Sequence, residues 1–352
     1  MKFIKGFDGL RAISIMFVLL THLGLSNHLD QGSLLKDNFN LISGSTGVMI
    51  FFTISGFLIT LLLLHEKHEF QKINYKNFFA RRFLRLIPPL LVFYISVVLL
   101  MILNYLPKNY LAVTISFFYL YNFVPLKYYV SEIGHTWSLA IEEQFYFIWP
   151  FILSYFKKIK SVVFLAVALI VVCIIVKTVY YTPFTVQGKE YQLFNYFFPN
   201  RWFIPACLPI MMGSLSAIIL FYKHDFLKSI FDIKLLVLSF ILFFGQLIIK
   251  DLNFIIIETL QPLAVSLLLL WIYFNQDNIL TKVLEVKPIA FIGKISYGLY
   301  VYQGLFLRTG PGGHLDIQKF PLNIILVVVT AVCSYYLLEK PILKYKSRFK
   351  PN

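Results

Sequence analysis

The segment FDGLRAISIMFVLLTHLG, residues 7–24, decides the class of fold. Its middle is apolar enough to form a membrane helix, because ~20 apolar residues cross ~30 Å of hydrocarbon. Arg11 near its start and His22 well inside it are both costly to place in lipid. Helix geometry puts these two side chains on one face, ~16 Å apart along the axis. Two ionisable side chains on one face of an apolar helix predict a helical bundle in which that face is turned toward the interior, away from lipid.

Apolar segments of membrane length recur along the rest of the chain. Of 352 residues, 59% are hydrophobic and 14% are charged, against about 25% charged in soluble domains. We therefore expect an all-α fold, a polytopic helical bundle in the cell (inner) membrane, with one membrane domain over 1–352 and no fused soluble domain. The ten predicted spans are 9–26, 46–64, 86–104, 137–156, 161–179, 202–221, 234–250, 254–274, 289–308 and 321–338. An eleventh apolar run, 110–123, is too short to cross and is predicted to be re-entrant or interfacial.

The formal net charge of +15 has its simplest explanation in membrane topology. In a soluble protein it would suggest nucleic-acid binding, but no basic stripe interleaved with aromatic residues accompanies it, so we expect no nucleic-acid partner. Ten crossings place both termini on one side. If that side is cytoplasmic, the inside segments hold more than twice as many Lys and Arg residues as the outside ones. This asymmetry predicts cytoplasmic termini.

The segment NFFARRFLRLIPP, residues 77–89, is the densest cationic site. Arg82 and Arg85 are three residues apart on a helix and project to one side, ahead of a break predicted at Pro88–Pro89. Guanidinium groups bind phosphates in a bidentate manner, so these residues and Arg11 could hold a ligand that carries several phosphates. Topogenic charge or lipid headgroup binding explains the cluster nearly as well.

The segment HTWSLAIEEQFYFIWP, residues 135–150, places a carboxylate in the interior. Glu142 is predicted at the depth of His22, and Ser138, Glu142 and Tyr146 follow one stripe of the helix, which turns Glu142 inward. A carboxylate near a histidine is typical of a general acid–base pair. A structural hydrogen bond between helices, or a proton relay in a transporter, remains an alternative.

Further polar residues are predicted to complete a polar cavity, and no metal site is expected. Glu258 and Gln261 could instead satisfy carbonyls freed by a kink at Pro262. The predicted cavity residues are Ser55, Ser138, Tyr297 and Gln303.

Five motifs in order resemble the acyltransferase 3 family of integral membrane acyltransferases. They are FDGLRA with its R-x10-H spacing, FFTISGFLIT, RRFLR, HTWSLAIEEQFYFIWP, and ISYGLY followed by LEKPI. The resemblance implies transfer of an acyl group, commonly acetyl from acetyl-CoA, to a hydroxyl of a carbohydrate or lipid-linked glycan such as O-antigen or exopolysaccharide. The motif residues carried over are Arg11, His22, Arg82, Arg85 and Glu142. Gln303 stands where many relatives have histidine, so a base role at that position does not transfer.

Some relatives also carry a fused extracytoplasmic hydrolase-like domain. Without one, this chain is expected to finish the transfer alone, with a separate extracytoplasmic partner, or as a homo-oligomer.

The expected mechanism places the CoA phosphates at Arg11, Arg82 and Arg85. The thioester would then reach His22, either as a general base whose tautomer Glu142 sets or as the nucleophile of an acyl-histidine relay. The competing hypothesis is a proton-coupled secondary transporter or exporter, against which stands the lack of paired interrupted helices in the two halves.

Overall fold

The computed structural model describes residues 4–181, 184–186, 189–191, 198–230, 232–247, 249, 253–310 and 313–349. Over these residues the regular structure is helical, as predicted, apart from one antiparallel hairpin of β1 (Phe184–Val186) and β2 (Lys189–Tyr191). The longer helices are α1 (Phe7–His22), α2 (Gly44–Phe70), α3 (Tyr75–Ile102), α4 (Tyr110–Phe117), α5 (Thr136–Tyr155), α6 (Ile159–Tyr181), α7 (Leu208–Tyr222), α8 (Ile233–Phe244), α9 (Phe254–Phe274), α10 (Lys287–Phe306) and α11 (Leu322–Ser334). Shorter α-helices are Leu34–Asp37, Phe203–Ala206, His224–Ile230, Ile279–Leu284 and Lys340–Leu343.

Each predicted apolar segment overlaps one or more of these helices, and residues 248 and 250 of the predicted span 234–250 lie outside the described residues. Not all of these helices have the length and composition of a membrane span. Five do within the described residues: α2, α3, α6, α9, and the helical stretch Leu322–Phe349 that begins with α11. A sixth results if α7 and His224–Ile230, bent by 104°, count as one span. The protein is thus a multi-pass helical membrane protein, while ten crossings and the side of the termini stay predictions.

Among the helices outside this set, α1, α4 and α8 are short, while α5 and α10 are less apolar. α1 has 16 residues and α8 has 12, so neither covers the full hydrocarbon thickness as a straight helix. α5 and α10 have 20 residues each and carry interior polar groups. The polar side chains that make α5 and α10 less apolar than the spans named above include those that line the site described below.

The helix break predicted at Pro88–Pro89 is wrong, because α3 runs through both prolines. Each proline lacks the N–H that would bond the carbonyl four residues earlier, so the helix loses hydrogen bonds there without ending. The Tyr297 hydroxyl of α10 donates a hydrogen bond to the Leu86 carbonyl in this weakened turn, at 2.7 Å. The contact fixes α10 against α3 beside Arg85.

Close helix crossings at glycines hold α1 and α2 in the centre of the bundle. Gly56 of α2 lies against the Ile210 carbonyl of α7, and a Cβ built at Gly56 would overlap that carbonyl. Gly293 of α10 lies equally close to the Asp8 carbonyl of α1. Small residues allow such backbone approach in membrane bundles. The crossings hold α1 between its neighbours α2 and α10.

The Gly56→Ala variant is expected to lose about 1–3 kcal/mol of stability, because the added methyl group forces α2 and α7 apart. The measurement is the Tm of the detergent-solubilised protein. Gly245→Ala is the matched control, since a Cβ at Gly245 has no heavy atom within 4 Å. An equal Tm for the two variants would contradict the tight crossing.

Candidate active site

Two cavities lie in series along α1. The first, of about 240 Å³, is lined by Arg11 and is called the arginine cavity. The second, of about 470 Å³, is lined by His22 and is called the histidine cavity. Because Arg11 and His22 are separated by ~16 Å of the same helix, the cavities open at its two ends. Their shared wall consists of Val48, Phe52 and Tyr300.

The arginine cavity gathers the cations that the sequence places at one membrane level. Arg11, Arg82 and Arg85 line it with Lys346, and the one carboxylate among its described lining residues is Glu142. This excess of positive charge suits an anionic ligand. The structure brings Arg11, Arg82 and Arg85 together. The assignment of these arginines to phosphate binding stays a prediction.

Neighbouring groups fix two of these arginines. Arg11 Nη1 lies 2.9 Å from Asp8 Oδ1, so one of its charge-assisted bonds is internal to α1. The Arg82 guanidinium carbon lies 4.6 Å from the centre of the Tyr146 ring, a cation–π distance. Both guanidinium groups are therefore positioned before any ligand binds, which lowers the entropic cost of binding.

Arg81 has a structural role distinct from that of its neighbour Arg82. Its Nη2 atom pairs with Glu66 Oε2 at 3.2 Å, and its Nη1 atom donates to the Phe349 carbonyl at 2.6 Å. The second bond docks the C-terminal helical turn, Lys344–Phe349, on α3. Sequence reasoning missed Lys346, which this docking carries into the arginine cavity, and no local pattern in the sequence signals it.

Glu142 lies in the arginine cavity and is held by hydroxyl groups. Its Oε1 atom accepts hydrogen bonds from Ser55 and from Tyr146, the latter at 3.2 Å. Ser138 and Tyr297 line the same cavity, so three of the four residues predicted for a polar cavity meet there with Glu142. The Ser138 hydroxyl is 2.5 Å from the Tyr300 hydroxyl, which ties the cavity to the shared wall.

His22 is held by Gln303, the fourth of these residues. Its Nδ1 atom lies 2.9 Å from Gln303 Oε1, and Gln303 is completely buried. With the amide in this orientation Nδ1 carries the proton and Nε2 keeps a lone pair that can accept one. The prediction that Glu142 sets the tautomer of His22 is wrong. Depth along two helices does not fix their rotation, and Glu142 faces Ser55 in the other cavity.

For the acyl transfer expected from the sequence motifs, the Gln303→Leu variant is predicted to lower the rate about tenfold, because the His22 ring loses the bond that orients it. The measurement is kcat with saturating donor. Gln318→Leu is the control: Gln318 is also a buried amide, but its Nε2 atom donates to the Leu305 carbonyl. A similar fall in kcat for both variants would show that Gln303 acts through stability alone.

The histidine cavity also contains an ion pair that the sequence did not reveal. Lys177 Nζ lies 2.6 Å from Glu258 Oε2, and both residues line the cavity. Glu258 therefore binds a lysine, in addition to any part it plays near Pro262. A lysine near the end of an apolar helix is the signal that could have been used, because a buried cation requires a partner.

Comparison with known proteins identifies the family. The family profile described as an acyltransferase domain matches residues 4–339. The peptidoglycan O-acetyltransferase OatA of Listeria monocytogenes is 29% identical, over 97% of this chain and 56% of its own length. The O-acetyltransferase OatA of Staphylococcus aureus is 27% identical, over 97% of this chain and 58% of its own.

This chain therefore spans somewhat more than half the length of these relatives. No solved structure matches it significantly. The motifs, their meeting in two adjoining cavities and the nearly full-length match agree: the chain belongs to the acyltransferase 3 family.

Proposed function

We propose that the protein is a membrane O-acyltransferase that moves an acyl group, acetyl in the first instance, from acyl-CoA to a hydroxyl of a cell-envelope carbohydrate. The observation that carries the proposal is the serial arrangement of a cationic cavity and a histidine cavity along α1. Peptidoglycan is the first acceptor to test, because one relative is named for it. O-antigen and exopolysaccharide are the next acceptors to test.

The arginine cavity supports the donor half of the proposal. Arg11, Arg82 and Arg85 supply planar donors suited to phosphate oxygens. The ~16 Å between Arg11 and His22 is the distance that the acyl-bearing arm of the donor would have to reach. The thioester would pass the shared wall at Tyr300 to enter the histidine cavity.

In the chemical step, the acceptor hydroxyl oxygen attacks the thioester carbonyl carbon. His22 Nε2 takes the hydroxyl proton, the carbon–sulfur bond breaks, and the leaving CoA thiolate receives that proton from His22, which restores the base. In the relay alternative, His22 Nε2 attacks the thioester carbon and the carbon–sulfur bond breaks, which releases the CoA thiolate. The acceptor hydroxyl then attacks the acyl carbon, the bond between that carbon and Nε2 breaks, and the hydroxyl proton passes to the thiolate. Both routes use the same free nitrogen, which the bond between Nδ1 and Gln303 leaves available.

The proposed topology has ten crossings, both termini in the cytoplasm, and a cell (inner) membrane location. It is supported by the excess of Lys and Arg in the segments that it places inside. It puts the arginine cavity toward the cytoplasm and the histidine cavity toward the outer face. A reporter that is active only in the cytoplasm, fused after residue 352, tests this orientation. It is expected to be active, and an inactive reporter would contradict cytoplasmic termini.

The test of function uses membrane vesicles, acetyl-CoA labelled in the acetyl group, and peptidoglycan fragments or polysaccharide as acceptors. Label is expected to appear in the carbohydrate as an alkali-labile ester, and only when the protein is present. If label reaches no hydroxyl of any carbohydrate offered while the folded protein is present, the proposed function is wrong.

A further inference from the structure

Arg201 places an uncompensated positive charge in the histidine cavity. Its Nη1 atom is buried and has no hydrogen-bond partner among the described residues. The carboxylate of Glu258 lines the same cavity but is engaged by Lys177 at 2.6 Å. Within the part of the chain that the structure describes, Arg201 thus lacks the acidic partner that Arg81 and Arg308 each possess.

Aromatic rings hold the Arg201 guanidinium in place without neutralising it. Its central carbon lies 4.2 Å from the centre of the Phe198 ring, 5.4 Å from that of Trp137 and 5.7 Å from that of Tyr129. Cation–π contacts of this kind stabilise the charge and fix the plane of the guanidinium group. They leave its N–H groups free to bind an acceptor atom.

A second unpartnered donor lines the same cavity. Gln261 is 7% exposed, and its Nε2 atom has no hydrogen-bond partner among the described residues. Buried polar groups are normally satisfied, so two such donors in one cavity of about 470 Å³ indicate a ligand rich in oxygen atoms. The volume lies within the range of small-molecule binding sites.

We propose that the histidine cavity is the acceptor site and takes a saccharide with an anionic substituent, a carboxylate or a phosphate. The anion binds Arg201, Gln261 donates to a neighbouring oxygen, and the hydroxyl to be acylated lies at His22. The inference rests on the proposed function and adds to it the charge of the acceptor. A bidentate bond between the guanidinium and the anion would also fix the orientation of the bound sugar. It would thereby determine which hydroxyl lies at His22 and reacts.

The experiment compares three acceptors on the full chain in vesicles: an oligosaccharide containing a uronic acid, its carboxyl-reduced form, and a phosphorylated form. The wild type is expected to prefer a charged acceptor over the neutral one by about 10- to 100-fold in kcat/KM. Arg201→Gln is expected to bring this ratio close to one, and Arg201→Lys to retain part of it. Whichever charged acceptor shows the larger ratio identifies the anion as carboxylate or phosphate.

Lys127→Gln is the control for a general effect of charge. Lys127 is exposed and lies two residues before Tyr129, so the variant removes a positive charge near the cavity but outside it. Its ratio should equal that of the wild type. A wild-type ratio near one, or a ratio unchanged in Arg201→Gln, overturns the inference even if acetyl transfer occurs.

A binding measurement separates this inference from the proposed function. The charged oligosaccharide, without any donor, is expected to raise the Tm of the wild type but not that of Arg201→Gln. If it does so while no acceptor receives acetyl, the anion site stands and the transferase proposal fails. If it raises neither Tm, the anion site is wrong.

Discussion

Acetyl transfer by the His22→Ala variant is expected to fall by about a thousandfold, close to the background of vesicles without the protein. The variant removes the imidazole that Gln303 orients, and a positioned base or nucleophile contributes about 10² to 10⁴ in rate. The measurement is the initial rate of label transfer from acetyl-CoA to the carbohydrate acceptor. His22→Gln should be equally inactive, because an amide can neither take the proton nor carry the acyl group.

Donor binding serves as the control for this loss. Arg11, Arg82 and Arg85 lie in the other cavity, so His22→Ala should bind CoA with the wild-type Kd. A normal rate in the variant would remove His22 from the mechanism. Mass spectrometry of the wild type, quenched with donor but no acceptor, separates the two chemical roles: an acetyl adduct on His22 excludes a simple base.

The second large effect is expected in the double variant Arg82→Gln, Arg85→Gln. The apparent KM for acetyl-CoA should rise about 100-fold or more, since each guanidinium lost from the arginine cavity would remove a charge-assisted bond to phosphate in the proposed donor site. The KM for the carbohydrate acceptor should change little, because the proposed acceptor site is the histidine cavity. The measurement is steady-state kinetics with each substrate varied in turn.

Arg81→Gln is the matched control on the same helix. It removes an arginine that pairs with Glu66 and Phe349 and does not line the arginine cavity. Its Tm should fall, because Glu66 keeps a buried charge without its partner. The KM for acetyl-CoA should rise about tenfold at most, because the lost bond to Phe349 loosens only the turn that carries Lys346, while Arg11, Arg82 and Arg85 stay in place. A KM that rises equally in both variants would contradict a specific phosphate site.

Relations within a single helix could be predicted from the sequence. The common face of Arg11 and His22 follows from 3.6 residues per turn, and both side chains do open on interior cavities. The pair Arg82 and Arg85, and the stripe of Ser138 and Glu142, follow from the same geometry and were found as expected. The apolar segments likewise marked where helices form, since their length is set by the bilayer.

Relations between helices could not be predicted in this way. His22 and Glu142 were matched by depth, but the rotation of each helix depends on packing against neighbours distant in the chain, and it turns them into different cavities. Lys177 contacts Glu258, which lies 81 positions further along the chain. Arg81 contacts Phe349, which lies 268 positions further along. No local period encodes such pairs.

The shared wall of Val48, Phe52 and Tyr300 also bears on the ion gradients of the cell. Hydrated ions require a continuous polar path, and narrow apolar or aromatic constrictions exclude water. Tyr300 is 7% exposed, and its hydroxyl is tied to Ser138 at 2.5 Å and to the His135 carbonyl at 3.0 Å. A ring held by these two bonds narrows the opening between the cavities. Polar cavities can therefore approach each other within the membrane, and we expect the wall to resist the leakage of protons that would discharge the membrane potential whenever no donor arm occupies the passage.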